Sequence, residues 1–161
     1  HRPDVAIVWT GAWEVRNWRS ERRAATEWLG SPAHDQRVRA RLAAALDVFA
    51  QRGVPVVWLT APAYAIGLEE AAERRPQDLA ASYPGRAQRF HELLAAEDAA
   101  RPDVQLVDLA GYLATRPGAE PGGALRHDGV HLSAQVSHEI ADVWLGDELE
   151  AAFAALGVSQ R

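Results

Sequence analysis

The stretch Arg126-His127-Asp128-Gly129-Val130-His131-Leu132-Ser133 sets an Asp and a His three residues apart, just ahead of a helical pattern. An imidazole serves as a general base when a partner fixes its tautomer and stabilises its charged form. Asp128, on the same tight loop with a Gly between, supplies that partner for His131. Asp-x-x-His is half of a Ser-His-Asp triad, which raises the question of the nucleophile. Serines stand at 20, 31, 82, 133, 137 and 159. None lies in a Gly-x-Ser-x-Gly elbow or directly after an apolar strand. Ser31, ahead of Pro32, reads as a helix start, and Ser133 fits an N-cap.

The other candidates sit on two further loops. After the first apolar run comes Thr10-Gly11-Ala12-Trp13-Glu14, with Arg16, Asn17 and Trp18 close behind; after the second comes Thr60-Ala61-Pro62-Ala63-Tyr64. Gly11 has two compatible readings, a backbone hinge or an oxyanion-hole donor whose N–H faces a substrate carbonyl. Trp13 and Trp18, in a polar loop, could line a cleft for a sugar or an acyl chain. Trp13, Glu14 and Asn17 are the substrate-binding candidates, whereas Trp9 and Trp58 read as strand packing. His127 flanks the turn and reads as exposed or supporting. His34, His91 and His138 lie in or beside helices without a paired carboxylate and read as surface residues. His127, Asp128 and His131 show no third ligand, so no metal site is expected, and no organic cofactor.

The elements that must position these loops follow from apolar patterning. Val5 to Trp9, Val54 to Leu59 and Val104 to Val107 are continuous apolar runs, the mark of strands buried on both faces of a parallel sheet. Helical spacing runs from about Asp35 through Ala50 (Val38, Leu42, Leu46, Phe49) and from about Arg86 to Ala100 (Phe90, Leu93, Leu94). A Gly- and Pro-rich loop, Pro117 to Gly123, delivers the Asp-His pair. A last helical region begins near Ser133, with a possible break at Gly146, and reaches about Leu156. Strand-helix alternation predicts a three-layer α/β fold with right-handed crossovers, whose ligands gather at the carboxyl ends of the strands. Three strands make a thin sheet. The expectation is at least one more strand from sequence upstream of His1, or a partner that covers the open edge.

Composition bounds the function classes. The chain has 161 residues, a single domain's length, with 48% hydrophobic and 24% charged residues. A net charge of −5 argues against a nucleic-acid partner. All 17 basic side chains are arginine, which reads as coding bias. There is no Cys, which excludes disulfides and thiolate metal sites. No stretch approaches the ~20 apolar residues of a membrane span. The abrupt start on a strand reads as a cut through a larger protein.

Asp128-Gly129-Val130-His131 before a closing helix resembles the last block of the SGNH (GDSL-type) hydrolases. Arg2-Pro3-Asp4 leading through an apolar strand to Thr10-Gly11-Ala12-Trp13-Glu14 resembles that family's oxyanion-Gly block. Gly30 to Asp35 and the strand ending in Thr60-Ala61-Pro62 add weaker support. The likeness covers nearly the whole chain and is nearest to SGNH domains associated with acyltransferase-3 membrane proteins of actinobacteria. It implies a flavodoxin-like fold lacking about a third of its five-stranded domain. It also implies His131 as base, Asp128 as its orienting partner and Gly11 as an oxyanion donor. The activity implied is that of a serine esterase or O-acyltransferase, acting on acyl esters, O-acetyl groups of a cell-envelope glycan among them. An extracytoplasmic location and a membrane acyltransferase domain upstream go with it. Two departures stand out. The family's Gly-Asp-Ser block is missing, so the Ser would lie upstream, and Trp13 replaces the Asn usually found two residues after the oxyanion Gly. These departures keep a second expectation open, a catalytically incomplete module that binds a glycan or docks on a membrane acyltransferase. A generic flavodoxin-like ligand domain is a third, weakened by the lack of a Gly-rich phosphate loop.

Overall fold

The computed structural model describes residues 3–11, 14–15, 29–64 and 84–158. Three short strands, β1 (Ala6–Trp9), β2 (Val56–Leu59) and β3 (Val104–Val107), form a parallel sheet in the order β1-β2-β3. Ala6 pairs with Val56, and Val56 with Val104, so the three strands run level and their carboxyl ends open on one edge. Helix α1 (Pro32–Ala50) joins β1 to β2, and α2 (Pro84–Ala100) leads into β3. A chain that adds parallel strands in one direction with crossovers of one hand must place its connecting helices on one face. Both helices do pack there. Val38, Leu42 and Leu46 of α1 meet Phe90, Leu93 and Leu94 of α2 over Val56, Trp58 and Val104.

The opposite face is covered by the C-terminal third. A short α3 (Leu109–Ala114) follows β3 directly, capped by Asp108, whose side chain accepts from the Gly111 N–H at 3.0 Å. Then come α4 (Ala134–Ile140), one π-helical turn (Ala141–Leu145) and α5 (Gly146–Ala155). Leu113, Val136, Ile140 and Ala152 close over Val57, Leu59 and Val107. The result is a mixed α/β fold with helices on both faces of a small parallel sheet.

Some expectations need correction. His34 is buried at 4% exposure, inside α1 rather than on the surface. His91 is half-buried, with Nε2 2.9 Å from the Ala61 carbonyl. Trp58 is core, but Trp9 is 49% exposed, as is Ile7. Both point to the face that the C-terminal helices cover over β2 and leave open over β1, since their neighbours Val57 and Leu59 are buried there. The last helical region does not break at Gly146, which keeps helical torsions. Its irregularity is the π turn just before, and Trp144 in that turn stacks on Tyr112 with ring centroids 4.2 Å apart. A π turn inserts one residue into the helical repeat, and here that keeps Trp144 and Leu145 both against the second core. Helix α3 was not expected from the sequence; it is too short for its apolar period to stand out.

Among the described residues, no helix is long and apolar enough to cross a membrane.

Candidate active site

His131 Nδ1 lies 2.6 Å from Asp128 Oδ2. Asp128 Oδ1 accepts two backbone N–H groups, from Val130 at 2.8 Å and from His131 at 2.7 Å. One carboxylate therefore folds the turn with one oxygen and holds the imidazole with the other. The turn is possible because Gly129 adopts φ 75°, a left-handed torsion that a side chain disfavours. Ser133 closes the arrangement as the N-cap of α4, its Oγ accepting from the Val136 N–H at 3.3 Å. The His131 side-chain bond and then the two backbone N–H groups hold the Asp128 carboxyl well below the usual carboxylate range. Asp128 thus stays ionised and acceptor-only, and the Nδ1 that faces it carries the proton. Nε2 is then the basic nitrogen. The His131 side chain is 80% exposed and that of Asp128 54%, so the couple stands open to solvent.

Beneath it lies Arg126, 1% exposed and among the largest fully buried side chains described. Its guanidinium donates to the carbonyls of Ala63 (2.8 Å), Gly129 (3.1 Å), Ala119 (3.3 Å) and Val130 (3.4 Å). It also lies over the Tyr64 ring, 5.3 Å from its centroid. Burial pushes the Arg126 pKa down, while the nearby Tyr64 and Asp128 oppose that. Burial likewise pushes the Tyr64 hydroxyl up, against Arg126 and with Glu14. Sequence reasoning assigned Arg126 no role. Nothing in the chain marks one arginine of 17 as buried, except its place between a Gly-rich loop and the Asp-His turn.

Gly11 is buried at the end of β1. A Cβ built on it would meet the Ala61 Cβ at 2.5 Å and Tyr64 Cε2 at 3.9 Å. The close approach of two strand-end loops therefore requires glycine there, whatever its N–H does. Glu14 is half-buried and its charge is felt by Tyr64, which brings Gly11, Glu14 and Tyr64 to one neighbourhood. Thr60 and Asp108 close the adjoining strand ends. The Thr60 hydroxyl donates to Asp108 Oδ1 at 2.8 Å and accepts from the Ala110 N–H at 2.9 Å.

Trp13 and Asn17, two of the substrate-binding candidates, lie outside the described residues, as do Trp18 and the serines at 20, 82 and 159. Of the remaining serines, Ser31 and Ser133 stand at helix N-caps and Ser137 lies within α4. His127 is exposed. No protein-family model matches the chain, and no curated protein matches it either.

Proposed function

We propose that this chain carries the acid–base half of a serine ester hydrolase or O-acyltransferase of the SGNH class. The observation that supports it is the 2.6 Å contact of His131 Nδ1 with Asp128 Oδ2, with Nε2 taking no hydrogen bond among the described residues on an 80% exposed ring. A turn that needed Asp128 only as a brace would be satisfied by its two backbone bonds. The third bond, to the ring, is what a general base requires.

In this reading a serine hydroxyl attacks the acyl carbonyl while His131 Nε2 takes its proton. Asp128 stabilises the imidazolium, and a backbone N–H at Gly11 helps hold the oxyanion. The tetrahedral intermediate collapses, the alcohol leaves with the proton from Nε2, and the acyl group stays on the serine. Water as the second nucleophile gives an esterase; a sugar hydroxyl gives a transferase. The serine belongs to a segment packed beside β1, on whose uncovered face Ile7 and Trp9 are each 49% exposed. The completed domain is flavodoxin-like, with Trp13, Glu14 and Asn17 lining a cleft for the substrate. That substrate is an acyl ester of a carbohydrate, O-acetyl groups of a cell-envelope glycan above all, outside the cytoplasm and beside a membrane acyltransferase domain. The chemistry calls for no metal or organic cofactor.

A second reading, a glycan-binding or docking module with an incomplete triad, draws on the placement of Ser31 and Ser133 at helix starts. Turnover separates the two. The intact protein that carries this chain should release acetate from p-nitrophenyl acetate and from an O-acetylated oligosaccharide. His131→Ala should lower kcat/KM by roughly 10³-fold or more. Glycan binding with no turnover in the wild type would establish the module instead.

A further inference from the structure

Arg126 is a cation buried to 1% exposure with no carboxylate within ion-pair distance among the described residues. Stranding a charge in that way is costly unless its donors are filled. They are filled by backbone carbonyls, and the carbonyls come from three separate loops. Ala63 belongs to the loop after β2, Ala119 to the Gly- and Pro-rich loop, and Gly129 and Val130 to the turn between Asp128 and His131. Its own backbone joins the same knot: the Arg126 carbonyl accepts from the N–H groups of Gly122 (3.0 Å) and Gly129 (2.8 Å). On the far side of the guanidinium lies Tyr64, whose ring borders Gly11.

We propose that Arg126 is the positioning residue of the Asp128–His131 couple, its guanidinium clamping the turn that carries His131 to the Ala63–Tyr64 loop and so fixing the couple relative to Gly11. This deepens the hydrolase reading and rests on it. A general base and an oxyanion donor must keep their spacing to within a fraction of an ångström. Here one sits on a solvent-exposed turn and the other at the end of a different strand. Asp128 holds the ring, but the turn between the two is itself braced by the Arg126 fork on the Gly129 and Val130 carbonyls, so the Asp128–His131 bond depends on that brace. Among the described residues the same fork is the side-chain hydrogen-bond link from this turn to the loop after β2. A planar guanidinium has five donors for these four carbonyls, against three on an ammonium and two on an amide.

The rival is a plug that supports stability alone and leaves the His131 ring indifferent. Imidazole nitrogen NMR on this chain decides between them. In the wild type, the neutral His131 ring should show a single Nδ1–H tautomer, with a downfield proton from the short bond to Asp128. Folded Arg126→Gln and Arg126→Lys variants should lose the downfield proton and show a mixture of tautomers. A folded variant with the His131 signature unchanged overturns the proposal. The wild-type Nη protons give a second reading that needs no variant to fold. Separate, slowly exchanging resonances are expected of a clamped fork, and freely averaged ones overturn the clamp. Neither reading needs a nucleophile or a substrate. Failure here therefore counts against Arg126 as the clamp, whereas absence of turnover counts against the hydrolase reading.

Discussion

The Asp128 carboxylate accepts three hydrogen bonds, two from backbone and one from His131, and each favours its ionised form. Its pKa in the folded chain is depressed, so the unfolded chain binds the proton first as pH falls. The stabilisation it gives is therefore complete above the ordinary value of about 3.9 and is lost as pH drops from there through the folded value. Because the group is largely exposed, salt screens the effect. Urea midpoints measured from pH 6 downward should fall more steeply in the wild type than in Asp128→Asn. His91 has a depressed pKa too, but as a base: burial lowers it, opposed by its bond to the Ala61 carbonyl and by Asp108. The unfolded chain again takes the proton first, so His91 leaves stability intact above about 6.5 and reduces it below. His91→Gln should flatten the wild-type decline in urea midpoint between pH 7.5 and 5. The His91 behaviour was not open to a reading of the sequence. His91 follows Phe90 on an ordinary amphipathic helix, and only the packing of α2 beside the Ala61 carbonyl takes it off the surface.

At the scale of elements, the strand-end loops touch so closely that composition is fixed. Gly11→Ala drives a Cβ to within 2.5 Å of the Ala61 Cβ and should cost about 1–3 kcal/mol. Adding Ala61→Gly should recover most of that, a coupling that thermal or urea unfolding of the four-member cycle would measure. The two helices under the sheet follow simpler rules. Phe90, at 0% exposure, should cost about 3–5 kcal/mol when truncated to Ala, read by the same unfolding curves. This part was legible: Val38, Leu42, Leu46, Phe90, Leu93 and Leu94 all keep helical spacing, and all are buried. The starts of α1 and α2 lie two to three residues earlier than the apolar period placed them, and at α1 Pro32 fits the first turn, where no N–H is needed. The π turn has no signature in hydropathy. It is set by where Trp144 must go to stack on Tyr112.

At the scale of the molecule, three continuous apolar runs predicted three parallel strands, and the sheet has them in chain order. The same pattern implies burial on both faces, which β2 meets at every residue while β1 exposes Ile7 and Trp9. Trp58→Ala should therefore cost several times what Trp9→Ala does, on the order of 3–5 kcal/mol against roughly 1, a contrast that paired denaturation curves would resolve. Convergence of loops at the strand carboxyl ends was foreseen from topology, and Gly11, Ala61, Tyr64 and the Asp128–His131 turn do share that edge through Arg126. The chemistry proposed for them rests on His131 being the base for a serine. Labelling of the intact protein with a fluorophosphonate probe, read by mass on the wild type and on a folded His131→Ala variant, tests that most directly. The account predicts stoichiometric labelling of one serine in the wild type and its loss in the variant. No labelling of the folded wild type, or labelling that persists without His131, would contradict it.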